Sequence, residues 1–379
     1  MSHEVVISGA GLWKPPHTIS NAELVNSYNA WAEAFNARNA AAIEAGELDA
    51  RPYSSVEFIE KASGIKQRYA YEKSGILDIE RMRPRIDVRA EDALSHQAEI
   101  ALNAARPALE AAGRLDAEGR ARGVDMVIVS CAYTERSYPA IAIEVQHELG
   151  IDGFGFDMLV ACSAATFALQ RAVDAIRAGS ARAVLVINPE LTSPQVNYTD
   201  RDSHFIFGDV STAMVLERAE DADSAHRYRV LGSKAKTLYS NNIRSNFGYV
   251  AHAQDTDPFS AANLFHQNGR RVFKEVCPMA AEHLEQQIAD VGLAVADVER
   301  WWLHQANLNM NQLIVRRLLG RDASQQEAPI VLDEFANTAS AGSIIAFCLY
   351  HDDLAAGDRG VICSFGAGYS IGSLALEKL

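Results

Sequence analysis

Nowhere does this chain carry an apolar run approaching the ~20 residues that a membrane helix needs; Ile344–Tyr350 is among the longest, and it stops far short. The opening stretch Met1–Pro15 has no basic region followed by a long apolar one, so the protein is expected to stay in the cytosol. Cysteine is sparse and unpatterned. Five residues (Cys131, Cys162, Cys277, Cys348, Cys363) are an odd number without a Cys-x-x-Cys pair, which excludes a disulfide framework or zinc ribbon and reads as reduced thiols. There is no His-Glu-x-x-His, no clustered Cys/His and no Walker-type loop, so no metal centre and no nucleotide hydrolysis is expected. Positive charge is also short. Thirty-five Lys plus Arg stand against 49 Asp plus Glu, a net charge of −14, which argues against nucleic acid and anionic lipid as partners. An acidic partner would need a local basic patch.

What is present is a hydrophobic fraction of 48% over 379 residues, enough for one large core or two of ordinary size. Strand-like runs (Val5–Ser8, Met126–Ser130, Ala183–Ile187, Ala213–Leu216, Val230–Leu231, Trp301–His304, Gly360–Ser364, Ser373–Leu376) alternate with helical patterns, so an α/β protein with buried strands is expected. Helical spacing is clearest over Ala164–Ala178, with Gly179 as a stop, and over Arg271–Val291, where Pro278 should bend the helix or mark its true start.

The chain also resembles itself. Cys162-Ser-Ala-Ala-Thr, helix, Arg177-Ala-Gly179, strand, Phe207-Gly208 and a small-residue strand are echoed by Ala339-Ser-Ala-Gly-Ser343, helix, Ala355-Ala-Gly357, strand, Phe365-Gly366 and a final strand. An internal duplication follows, with halves at 1–219 and 220–379. Two stretches of the first half, residues 30–52 and 72–89, read as surface insertions.

Two apparent motifs fail on context. Gly368-Tyr-Ser370-Ile-Gly372 matches a hydrolase nucleophile elbow, but no acid and histidine follow it. Gly9-Ala-Gly11 lacks the third glycine and the later acidic residue of a dinucleotide site. Cys162 is a better candidate. It follows an apolar strand and opens the Ala164–Ala178 helix, where unpaired N–H groups and the helix dipole favour a thiolate nucleophile. His304, in Trp301-Trp-Leu-His304-Gln-Ala-Asn307, stands where a strand gives way to a loop, beside amides able to orient it. Asn337 precedes the later helix in the same manner.

Taken together, Ala-Cys162-Ser-Ala-Ala-Thr, Phe207-Gly-Asp209 after Asp200-Arg201, His304-Gln-Ala-Asn, Asn337-Thr-Ala-Ser and Phe365-Gly-Ala-Gly-Tyr-Ser-Ile-Gly resemble the β-ketoacyl-[acyl-carrier-protein] synthase III family of thiolase-fold condensing enzymes. The resemblance spans almost the whole chain apart from the two insertions. It implies a five-layered αβαβα fold of two similar halves, and acyl transfer from a thioester to Cys162. Decarboxylative Claisen condensation with malonyl-acyl carrier protein would follow. The backbone N–H groups of Cys162 and Ala367 would hold the oxyanion, and His304 with Asn337 would stabilise the enolate. Acyl-coenzyme A and malonyl-carrier protein are implied as substrates, with no cofactor, acyl carrier protein as partner, and a homodimer as the assembly.

Departures from the family pattern bear on the donor. Ala164 and Ala165 replace a glycine and a bulky aromatic beside the nucleophile, and Phe58 aligns with the tryptophan that stacks on adenine. Tyr138 aligns with a residue that reaches into the partner's acyl tunnel, and with Ala165 it is assigned to that tunnel. A donor longer than acetyl is the expectation. Arg270, Arg271, Lys274, Arg316 and Arg317 are the expected carrier-docking face, although Asn309 replaces a family arginine there. The competing readings are an acyltransferase without decarboxylation, a head-to-head acyl condensing enzyme, and a non-catalytic partner of a condensing dimer.

Overall fold

The computed structural model describes residues 3–379. One nine-stranded sheet is formed by β1 (Val5–Trp13), β2 (Met126–Cys131), β3 (Phe154–Leu159), β4 (Ala183–Glu190), β5 (Val210–Arg218), β6 (Tyr228–Ser240), β7 (Arg300–Leu303), β8 (Arg359–Gly366) and β9 (Gly368–Lys378). Their spatial order is β7-β8-β9-β6-β1-β5-β4-β2-β3. Each predicted strand core lies inside one of these except Trp301–His304, whose last residue falls just beyond β7, in the loop that follows it.

The order repeats itself about the β1–β6 seam, where only Val6–Arg229 and Ile7–Tyr228 are paired. Outward from that seam, β5 and β4 follow β1 antiparallel, and β2 then runs parallel to β4. In the second half β9 and β8 follow β6 antiparallel, and β7 runs parallel to β8. Only β3, parallel to β2 at the far edge, has no counterpart strand.

Side-chain alternation along the strands sorts the sheet into layers. Val127, Val129, Leu185 and Ile187 pack on the helices α3 (His96–Ala111) and α4 (Ile141–Glu148), α1 (Asn21–Arg38) and α2 (Val56–Ser63) lying apart from this layer. Their neighbours Met126, Ile128, Val184 and Val186 point to the opposite side, onto α5 (Ala164–Ala178). In the second half Trp302, Ile362 and Leu374 join that same central cluster. Trp301, Leu303, Val361 and Ile371 face the far side, with α6 (Gly269–Asp290) and α7 (Leu308–Leu319). With α5 and α8 (Gly342–Leu349) between the two sheet halves, the stack reads αβαβα, the thiolase-like α/β architecture.

α5 has the predicted bounds, ended by Gly179 at φ 78°. Pro278 neither starts nor ends α6, which runs through it from a start capped by Asn268. Residues 30–52 are mostly exposed apart from Ala32, but 72–89 is not purely a surface insertion. Ile76 and Met82 from that segment are buried with Ile19, Leu24 and Ile59 in a satellite core, because apolar residues within the charged run turn inward.

Candidate active site

Cys162 does not begin α5 directly. It is the middle residue of the 3-10 turn Ala161–Ser163, entered through Ala161 at φ 44°, a left-handed conformation unusual for alanine. Ser163 Oγ ties the turn to the final strand by donating to the Ser370 carbonyl at 3.0 Å. Gly366 faces the sulfur from the end of β8. A Cβ there would lie 2.4 Å from Cys162 Cβ and 3.0 Å from Sγ, so only glycine leaves room for the thiol.

The sulfur receives the N–H groups of Ala367 and of Cys162 itself. These favour the thiolate, yet burial outweighs them, and the Glu190 carboxylate adds a smaller opposing effect, so the thiol is pushed up to about 12. The thiolate expected from the helix end is therefore not the resting state.

His304 follows β7 immediately, its N–H bonded to the Cys363 carbonyl at 2.8 Å and its ring set edge-on against Phe365 at 5.3 Å. It is 2% exposed, and burial alone pushes its imidazole down to about 4, so the ring is neutral at physiological pH. Nδ1 has no partner. Gln305, which the sequence marks only as a neighbour of His304, holds this loop: it donates to the carbonyls of Leu303 and Pro329 and accepts from Val331 N–H.

Asn337 is clamped by its main chain, which donates to Ile206 and accepts from Gly208. Its Oδ1 accepts from Ala339 N–H at 3.0 Å, which leaves the amide NH2 as the free function. Cys162, His304 and Asn337 line one cavity of about 780 Å³ together with Phe365 and Gly366. Its walls add Phe205, Phe207, Phe265 and Phe273, whose role their scattered positions did not reveal. Around Cys162, His304 and Asn337 the functional groups are uncharged donors: two N–H groups at the sulfur, a neutral imidazole and an amide.

The remaining sequence-predicted residues divide. Phe58 lines the same cavity, with the Arg201 guanidinium over its ring at 3.7 Å. Ala165 does not line it; fully buried, it packs in the central core, because its place in the first turn of α5 faces the sheet. Tyr138 is 81% exposed and borders a different cavity, next to the edge strand residue Leu159. Arg270 reaches the active-site cavity, and Arg271 and Lys274 lie exposed on the same helix. Arg316 lines a separate cleft and is engaged by Asp322 at 2.6 Å, while Arg317 beside it is exposed without an ion pair among the described residues.

Comparison with known proteins places the chain in a family. The family described as 3-oxoacyl-[acyl-carrier-protein] synthase III matches residues 156–237, and its C-terminal part matches residues 288–378. The β-ketodecanoyl-[acyl-carrier-protein] synthase of Pseudomonas aeruginosa is 52% identical over 354 residues, covering 93% of this chain and all of that protein. A β-ketoacyl-[acyl-carrier-protein] synthase III of Allorhizobium ampelinum is 30% identical over 87% of this chain and 93% of its own. Among solved structures, the priming β-ketosynthase of the R1128 polyketide pathway superposes with a TM-score of 0.75 at 24% identity, covering 99% of this chain and 96% of that one. At that identity the likeness speaks for the fold.

Proposed function

Because the chain belongs to the 3-oxoacyl-[acyl-carrier-protein] synthase III family and is a condensing acyltransferase, we propose that it extends a medium-chain acyl thioester by two carbons, with Cys162 as nucleophile. The observation that carries the reading is that residues as far apart in sequence as Cys162, His304 and Asn337 line one cavity, with Ala367 N–H directed at the sulfur.

Cys162 Sγ attacks the donor carbonyl; the new C–S bond forms, the donor C–S bond breaks, and the thiol proton leaves with the released coenzyme A thiol. Cys162 and Ala367 N–H groups hold the oxyanion. Malonyl-carrier protein then enters, and His304 and the Asn337 amide donate to its thioester carbonyl. Loss of CO2 leaves an enolate, whose carbon attacks the acyl-cysteine; the new C–C bond forms, the acyl C–S bond breaks, and the departing Cys162 thiolate takes up a proton from water. A neutral His304 suits this role, since a hydrogen-bond donor of unchanged charge stabilises developing negative charge without first having to lose a proton.

The 52% identity to a β-ketodecanoyl synthase and the phenylalanine-lined walls favour an eight-carbon donor over acetyl. The Phe58–Arg201 stack suits a coenzyme A adenine less than an open aromatic face would. Carrier protein docks beside Arg270, Arg271 and Lys274, with Arg317 at the margin. No cofactor takes part, and the enzyme works as a cytoplasmic homodimer in which Tyr138 reaches the partner's acyl tunnel. No helix among the described residues is long and apolar enough to cross a membrane.

Incubation with malonyl-carrier protein and a series of acyl-coenzyme A donors, read by product mass, tests the proposal. A β-ketodecanoyl product from the octanoyl donor, lost in Cys162→Ser and His304→Ala, is expected. Equal or better turnover of acetyl-coenzyme A refutes the donor assignment; acylation of Cys162 without any condensed product refutes the reaction.

A further inference from the structure

Glu190 ends β4 and is 1% exposed, with both carboxylate oxygens engaged. Oε2 accepts from Ala132 N–H at 3.1 Å. Oε1 accepts from Ser340 N–H at 3.0 Å and from Ser340 Oγ. The carboxylate thus crosses from the first half of the chain to hold a turn of the second. A carboxylate in so dry a place is costly unless its bonds repay it, and burial pushes Glu190 up to about 7.

The segment it holds is the one that presents Asn337. Its backbone is unrelaxed: Ala336 has φ 58° and Ala339 φ 47°, left-handed conformations that persist only where neighbours enforce them. Before Asn337, enforcement comes from the main-chain pairing with Ile206 and Gly208. After it, Ala339 N–H bonds Asn337 Oδ1, and the next residue, Ser340, is anchored on Glu190. No other side chain among the described residues grips Ser340.

From this geometry we infer that Glu190 is a positioning residue for the condensation step: by anchoring Ser340 it keeps Ala339 N–H on Asn337 Oδ1 and so aims the Asn337 NH2 at the malonyl thioester. The inference rests on the proposed role of Asn337. Acylation of Cys162 gains nothing from the clamp, since a carboxylate near the sulfur opposes the thiolate. The two half-reactions should therefore respond differently.

The experiment uses the full-length enzyme and measures each half-reaction separately: acylation of Cys162 by labelled octanoyl-coenzyme A, and condensation of the pre-acylated enzyme with malonyl-carrier protein. In Glu190→Gln one oxygen becomes an NH2 that faces an N–H donor, of Ala132 or of Ser340, so the bridge between the two is broken in either orientation. Condensation should slow about tenfold or more while acylation stays within about threefold of wild type. Ser340→Ala, which keeps the main-chain N–H, should slow condensation about threefold, again selectively, and it carries the test alone if Glu190→Gln does not fold. The KM for malonyl-carrier protein should move less than about twofold. The double variant Glu190→Gln/Asn337→Ala should be no slower than Asn337→Ala, because both act through one amide. Equal losses in both half-reactions, or multiplied losses in the double variant, overturn the inference. If Asn337→Ala condenses normally, the role of Asn337 is refuted and the inference with it. If Asn337→Ala is crippled while Glu190→Gln and Ser340→Ala are not, the inference alone is refuted.

Discussion

Cys162 and Ser340 occupy equivalent places in the two halves of the molecule. Each is the middle residue of a 3-10 turn whose first residue is an alanine at positive φ, 44° for Ala161 and 47° for Ala339. Each turn leads into a helix of the central layer, and each is faced by the last residue of the equivalent strand, Gly366 on β8 and Glu190 on β4. The backbones match; the chemistry does not. Glycine opposite Cys162 leaves the sulfur room and an opening to the cavity, whereas glutamate opposite Ser340 takes up its hydroxyl in a fully buried bond. The two turns thus differ both in their middle residue, Cys162 against Ser340, and in the strand residue that faces it.

That contrast can be broken in graded ways. The widest response is in the reactivity of Cys162 itself. With its thiol pushed up to about 12 by burial, thiolate is scarce at neutral pH, so alkylation at Cys162, followed by peptide mass, should rise about tenfold per pH unit from pH 7 to 10. A plateau near pH 8 would mean that the N–H groups outweigh burial after all.

Removing the donors that share the cavity with Cys162 comes next. His304→Ala or Asn337→Ala should each slow condensation by about 10²–10³ with acylation largely kept, as expected of groups that act on developing charge. Comparable losses in acylation would place them on the first step instead. Gly366→Ala brings the reactive turn towards the crowding of its counterpart; a Cβ 2.4 Å from Cys162 Cβ should cost about 1–3 kcal/mol of stability and slow both half-reactions. Unaltered melting and turnover would show that the turn yields easily. The smallest effect concerns docking: Arg270→Glu should raise the KM for malonyl-carrier protein a few-fold, and more than Arg316→Glu, whose guanidinium already pairs with Asp322.

Strand cores and the bounds of α5 were legible because apolar runs, Gly179 and period-2 alternation are local signals. The proposed nucleophile Cys162, with His304 and Asn337, was legible because each stands at the end of a strand or the start of a helix, where a recognisable motif surrounds it. The register of the self-similarity was not. Sequence comparison paired Cys162 with Ala339, but the turns pair Ala161 with Ala339 and Cys162 with Ser340, since the backbone conformation, not residue type, sets the correspondence. Ala165 was misplaced for a related reason: adjacency to Cys162 in sequence says nothing about which face of α5 it occupies. Glu190 gave no signal, because a glutamate at a strand end ordinarily reads as solvated.

The sequence by itself determined the family, the layered α/β class and the three residues proposed for catalysis, because those depend on local patterns and motif order. Only the tertiary structure decided that burial pushes the Cys162 thiol up, that Gly366 must lack a side chain, and that a carboxylate from one half braces a turn of the other. Burial and approach across the β1–β6 seam are sums over residues distant in the chain, and no local pattern carries them.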